Sequence, residues 1–240
     1  MRVSSIFTFK SCSKINTKEA RRALHTREII YSSKGLPKNR VYKNEAYVSG
    51  IWKEQSDELV VGFAQIKGDQ VANPEYHGGS DRVVCVYPFE HYAHWESVFD
   101  RILTPSAFGE NLTVLGMKED QVCIGDVFQI GEAVLQVSQG RYPCSTINKR
   151  NNNNLLLKRI IETGYTGYFF RVLEEGKITA DSQIKKLLSH PEQITVSSIH
   201  HLYFHNPSPS IEMIDKILGV KELAGQWRKY LLDLKEKIQS

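Results

Sequence analysis

Long apolar runs are missing from this 240-residue chain. No stretch approaches the roughly 20 consecutive apolar residues that a bilayer-spanning helix needs. Cysteine is scarce: Cys12, Cys85, Cys123 and Cys144 lie far apart and form no C-x-x-C pair. That spacing speaks against a zinc ribbon and a disulfide scaffold, and fits reduced thiols in a cytosol-like compartment. A large excess of either charge sign is also lacking. The net value is +4, too weak to indicate a nucleic-acid binder. No G-x-x-x-x-G-K, G-x-G-x-x-G or G-x-S-x-G motif occurs, which withdraws support from P-loop, dinucleotide-fold and hydrolase readings. Acids are locally scarce too. Residues 1 to about 40 are basic and rich in Ser and Thr, with only Glu19 and Glu28. A mitochondrial-type targeting segment has that composition, but a solvated or partly structured extension is the simpler expectation. A cytoplasmic protein is therefore expected, with organelle targeting as the alternative.

What is present is a dense series of short strands. Glu28 to Tyr31 can already be the first, and Tyr47–Lys53, Glu58–Gln65 and Glu110–Leu115 follow. Val83–Tyr87 is nearly all apolar and suits a buried central strand. Val127–Ile130 and Ala133–Ser138 flank Gly131-Glu132 as a hairpin, and Gly167–Leu173 returns as a strand. Helices are expected over Glu90–Phe99 and Leu155–Glu162. Beyond about Leu187 the period changes to three helices: Thr195–Phe204, Pro209–Leu218 and Glu222–Ile238. The last carries Leu223, Trp227, Leu231 and Leu234 on one face. The fold class is thus β-rich α+β, a barrel-like domain followed by a small three-helix bundle. Residues 1–44 are read as an extension leading into the first strand, 45–185 as the β domain and 186–240 as the helical domain.

Three polar segments can meet at one rim. In Gln136–Cys144 an alternating strand runs into Gly140, Arg141 and Pro143, then presents Cys144. An isolated cysteine usually packs as a small hydrophobe, but Arg, Gly and Pro are poor core material, and nearby positive charge favours the reactive thiolate. His77-Gly78-Gly79-Ser80-Asp81-Arg82 supplies paired glycines able to form an anion nest, a histidine that can shuttle protons, and a guanidinium that can clamp phosphate. Phe108–Leu112 offers Asn111 for a ligand's ring edge. The pairs His91/His94 and His201/His205 have zinc-compatible spacing but no obvious third ligand, so surface or packing roles are expected of them.

The motifs Ser49-Gly50-Ile51-Trp52-Lys53, Gly68-Asp69, His77–Arg82, Tyr87-Pro88, Phe108–Leu112, Gly125-Asp126 and Gln139–Cys144 occur in this order over roughly residues 45 to 182. Together they resemble the MOSC domain family, named for the C-terminal domain of molybdenum cofactor sulfurase. More closely they resemble its YiiM-like subgroup, the 6-N-hydroxylaminopurine resistance proteins, which carry a similar C-terminal three-helix domain.

The resemblance implies a MOSC-type β-barrel that binds molybdenum cofactor (molybdopterin) and reduces N-hydroxylated compounds, such as hydroxylaminopurine-type bases, to amines. By the same resemblance Cys144 is the metal ligand and a catalytic residue, with His77 as the proton donor. Lys53, Gly78, Gly79, Arg82, Asn111, Arg141 and Ser145 become the cofactor-binding residues. The implied partners are a small N-hydroxylated substrate and an external redox protein, since no flavin, haem or iron–sulfur signature is present; a homodimer is compatible. Two departures stand out: the long basic extension, and Ser145-Thr146 where the family more usually has aromatic or basic residues. A sulfur carrier using a Cys144 persulfide and a non-catalytic cofactor-binding module are the rival readings.

Overall fold

The computed structural model describes residues 27–240. The targeting and extension readings of the preceding stretch, and Cys12, lie outside the described residues. The chain runs through strands β1 (Glu28–Lys34), β2 (Lys38–Tyr42), β3 (Glu45–Ser49), β4 (Glu54–Gln55) and β5 (Glu58–Val61) to a one-turn helix α1 (Pro74–His77) and a 3-10 turn (Ser80–Arg82). Strand β6 (Val84–Pro88), helix α2 (Glu90–Phe99) and strands β7 (Leu112–Leu115), β8 (Val127–Ile130) and β9 (Ala133–Gly140) follow. Helices α3 (Thr146–Asn151) and α4 (Leu156–Thr163) precede β10 (Tyr168–Glu174), β11 (Gly176–Thr179) and β12 (Ile184–Leu188). The chain ends with α5 (Val196–His200), a π turn (His201–His205), α6 (Ile211–Leu218) and α7 (Gly225–Gln239).

Eight strands form one curled half-barrel sheet in the order β12-β8-β9-β10-β6-β7-β1-β4. All pairings are antiparallel except β6–β7, which α2 connects. A parallel pair cannot be closed by a tight turn, so the intervening helix is a geometric necessity. Every residue of β6 is buried, as its apolar run leads one to expect. The ladder β5–β11 stands apart from the main sheet, yet Leu59, Val61 and Ile178 are buried in the same core as Val84, Leu135 and Phe170.

The boundaries move outward from the sequence reading. Strand β1 pairs with β7 inside the main sheet, so the sheet begins at Glu28 and the extension is shorter than residues 1–44. At the other end β12 pairs with β8 as far as Leu188, beyond the expected boundary at 185. The β2–β3 hairpin turns at Lys43 and Asn44, both at positive φ. That geometry suits a two-residue hairpin turn, but without the usual glycine it leaves little sequence signal.

The three-helix unit is part of the sheet's core. Ile199, Leu202, Ile214, Ile217, Trp227 and Leu231 belong to one buried cluster with Val137 and Phe170. Thr195 caps α5 by accepting from Ser198 N at 3.0 Å, and Ser210 stands at the N-terminus of α6. The indole of Trp227 donates to Gly140 O at 2.7 Å, and Ala224 N donates to Ser138 O at 2.9 Å. These bonds dock the start of α7 on the end of β9. They explain why β9 alternates in burial at first and is then wholly buried from Val137 to Gly140.

His200 lies at this junction, fully enclosed and bonded through Nδ1 to Thr166 Oγ1 at 2.9 Å. Burial outweighs the attraction of Glu119 and holds its pKa down to about 4. The unfolded imidazole titrates near pH 6.5. Below that pH the unfolded chain gains a proton that the folded chain refuses, until the folded pKa is reached. Stability should therefore fall between about pH 6.5 and 4 by about 3 kcal/mol from this residue alone. Urea unfolding of wild type and His200→Leu at pH 7 and pH 4 measures it. The difference between the two proteins should shift toward the variant by that amount on acidification.

Candidate functional site

A pocket of about 550 Å³ opens where β3, the α1 turn, the end of β9 and α7 converge. Its walls bring together Lys53, His77, Arg82, Asn111, Arg141 and Cys144. Six of the expected site residues, from four separate segments, therefore share one cavity.

The cysteine loop follows directly from β9. Tyr142 leans on the helical unit, with ring centroids 5.3 Å from both Phe204 and Tyr230. Pro143 is buried and Cys144 half-buried beside α3. Cys144 O accepts from Ile147 N at 3.1 Å, which sets the first turn of that helix. The other thiol in the pocket, Cys85, belongs to central strand β6. Burial pushes its pKa up, so it stays a neutral thiol and Cys144 is the reachable one.

Arg141 is the most telling side chain. It is only 9% exposed, its backbone N–H donates to Gly167 O at 3.0 Å, and its Nη1 is buried with no acceptor. Among the described residues no carboxylate forms an ion pair with it. A buried guanidinium N–H without a partner is costly, and here it faces a cavity.

The other cations are partly committed. Lys53 pairs with Asp69, whose carboxylate also accepts from Gly35 N at 2.9 Å. Arg82 Nη1 donates to Tyr76 O at 2.7 Å and to Gln226 Oε1 at 2.9 Å. His77 stands between positive neighbours: desolvation first, then the charges of Arg141 and Arg82, hold its imidazolium below the ordinary value. Without an anion in the pocket, His77 is neutral at pH 7.

Other expected residues lie elsewhere or do other work. Gly78, Gly79 and Ser145 do not line the pocket wall. The glycine pair forms no anion nest, because Gly78 N–H is already bonded to Pro74 O at 2.9 Å. Gly78 is required by crowding: a Cβ there would stand 2.6 Å from Pro74 O. Ser145 is exposed at the start of α3, and Thr146 takes the wall position. Asn111 lines the floor with its amide engaged, accepting from Cys85 N at 3.0 Å and donating to Ser33 O at 3.2 Å. It ties β6 to β1 beneath the pocket.

Sequence reasoning named Asp69 and Gln139 within motifs but gave them no site role, and it missed Gln226 and Tyr230. Gln226 and Tyr230 sit four apart on α7 and bond each other at 3.0 Å. That i, i+4 polar pair beside Trp227 is the signal that was present and unused. The histidine pairs hold surface or packing positions, with His94 and His201 exposed. His91 Nε2 bonds Glu119 at 2.7 Å and its ring stacks on Tyr165, while His205 Nε2 meets Ile161 O at 2.6 Å. Among the described residues no group of three His, Cys, Asp or Glu side chains is placed to hold a metal, and no helix is long and apolar enough to cross a membrane. A metal at Cys144 would have to arrive with most of its own ligands.

Two family models match the chain: the MOSC domain over residues 73–185 and the YiiM-like 3-alpha helix domain over 194–237. The chain is 38% identical over 205 residues to the uncharacterized protein YflK of Bacillus subtilis, covering 85% of this chain and 92% of that one. It is 34% identical over 189 residues to protein YiiM of Escherichia coli, covering 77% and 84%. A protein named reductase from Gibberella moniliformis is 38% identical over 144 residues, 58% of this chain and 26% of that longer protein. The crystal structure of YiiM from Geobacillus stearothermophilus superposes with a TM-score of 0.74 at 32% identity, covering 86% of this chain and 98% of that one.

Proposed function

The chain belongs to the MOSC domain family, in its YiiM-like branch with the three-helix domain, and from that premise we propose that it is a molybdenum-cofactor-dependent reductase of N-hydroxylated compounds. The net reaction is R–NHOH + 2H⁺ + 2e⁻ → R–NH₂ + H₂O, with the electrons delivered by an external redox protein. The likeness to the Gibberella moniliformis reductase, which covers 58% of this chain, supports the oxidoreductase class.

The observation that carries the reading is the unpartnered, buried Nη1 of Arg141 in a pocket that also holds Cys144. A phosphate-bearing organic cofactor would supply the missing acceptor, with Arg82 and Lys53 adding positive charge. Cys144 offers a soft thiolate suited to a metal that brings sulfur ligands of its own. When bound, the cofactor supplies the two-electron chemistry. The protein supplies orientation, exclusion of water and a proton. His77 is neutral beside the guanidinium groups of Arg141 and Arg82, and an anion between them would offset their charge. The imidazole pKa then rises toward neutrality, where a histidine delivers a proton best. The substrate nitrogen is its recipient. Tyr142 and Tyr230 form an aromatic wall against which a planar purine-like substrate can stack.

The test is metal analysis of wild type and Cys144→Ala produced in cells that make molybdenum cofactor. Near-stoichiometric molybdenum in the wild type, lost in a variant with unchanged circular dichroism, is the expected result. No molybdenum in the wild type from such a host would overturn the reading, and cyanide-labile sulfur on Cys144 would then be the next assay.

A further inference from the structure

A second cleft, of about 700 Å³, lies on the other side of the Tyr47–Trp52 segment, beneath the β2–β3 hairpin. The sequence offered no motif for it. Arg40, Lys43, Lys149 and Arg150 line it, and no carboxylate does. Two guanidinium groups converge on one indole: Arg40 lies 4.6 Å and Arg150 4.2 Å from the centre of the Trp52 ring. A guanidinium packed over a ring satisfies its face and leaves its in-plane N–H edge for an oxyanion. That edge is unmet here. Arg40 Nε, Arg150 Nε and Trp52 Nε1 are all buried without an acceptor. Arg150 is steadied from behind by a 3.0 Å bond to Thr104 Oγ1. The Glu110 carboxylate, which Arg150 feels electrostatically, is already bonded to Tyr92, Thr113 and Phe108 N.

Three orphaned donors and four cations in one cleft demand an acceptor that is compact and more than singly charged. A phosphate fits this better than a carboxylate, because it can accept from several donors at once. The cleft volume falls within the roughly 300–1,000 Å³ range of small-molecule sites, which leaves room for an organic body along Tyr47. We propose that this cleft is a second ligand site, which binds a phosphorylated small molecule of nucleotide size with its phosphate held by Arg40, Arg150 and the Trp52 indole N–H. The site stands on residues separate from the Arg141 pocket, so it does not rest on the reductase reading.

The experiment is calorimetric titration of the full chain with AMP, with adenosine and inorganic phosphate as controls. Saturable one-to-one binding of AMP is expected, at least tenfold tighter than phosphate, with none for adenosine. Arg40→Gln, a change on a solvent-facing hairpin, should weaken AMP at least tenfold, whereas Arg82→Gln in the other pocket should leave it unchanged. No saturable AMP binding, or binding lost in Arg82→Gln and kept in Arg40→Gln, overturns the proposal.

Discussion

Replacing Arg141 with Met should make the cofactor-free protein more stable and leave it unable to retain cofactor. The two effects have one origin. In the cofactor-free pocket Arg141 is a buried cation with an unpartnered Nη1 and, among the described residues, no ion pair. Removing an unsatisfied buried donor and replacing it with an apolar chain of similar length recovers about 1–3 kcal/mol. For a chain of this size each kcal/mol moves the melting temperature by about 2–4 °C. The backbone bond to Gly167 O survives the change, so the strand end keeps its anchor. With cofactor present the sign reverses. A charge-assisted bond to an anion is worth about 1.5–3 kcal/mol, and its loss weakens binding by about 10- to 100-fold. Thermal unfolding of cofactor-free protein and pterin content of protein from a competent host measure the two halves. A lower melting temperature in the cofactor-free variant would mean that Arg141 is structural and the pocket reading is wrong.

Stability given up for an empty charge is the usual signature of a binding residue, and it separates Arg141 from its neighbours. Lys53 and Arg82 line the same pocket but have protein partners in Asp69, Tyr76 and Gln226. Their replacement should cost stability as well as binding, so only Arg141 gives the divergent result.

How far the sequence disclosed this arrangement depends on the range of the interactions. The loop position of Cys144 was legible because a strand ending in Gly and Pro is a local signal, and β9 does end at Gly140. The buried strand β6 and helix α2 were legible for the same reason, each being a run whose period reports its own burial. Gly78 and Gly79 misled because adjacent glycines specify freedom, not its use. Here Gly78 is kept small by Pro74, and no nest forms. The amide of Asn111 was read as facing a ligand, but two strands distant in sequence claim it. Gln226 and Tyr230 were hidden in a helix read for its apolar stripe, since no local rule reports that α7 turns its polar edge toward a sheet rim. The second cleft was invisible for a related reason. Arg40, Trp52 and Arg150 meet only after the β2–β3 hairpin folds over α3.

Gly140 is a tight point of this long-range docking, and Gly140→Ala should be strongly damaging to the site. Its φ is ordinary, so crowding alone sets the cost. A Cβ would stand 2.3 Å from His200 Nε2 and 2.7 Å from His200 Cε1. The ring cannot retreat, because Thr166 holds its other nitrogen and Trp227 lies 5.3 Å away between ring centroids. The strand end must move instead, straining the Trp227 bond to Gly140 O. Overpacking of this kind costs about 1–3 kcal/mol, and the lost bond adds about 1 kcal/mol more. The displacement passes directly to Arg141 and Cys144, so cofactor retention should fall at least tenfold even where the variant remains folded. The cause can be isolated by removing the obstruction. His200→Ala leaves room for the added methyl, so the double variant should be more stable than the sum of the single effects by more than about 1 kcal/mol in urea unfolding. Strict additivity would mean that the methyl group clashes elsewhere, and that the helical unit does not set the position of the cysteine loop.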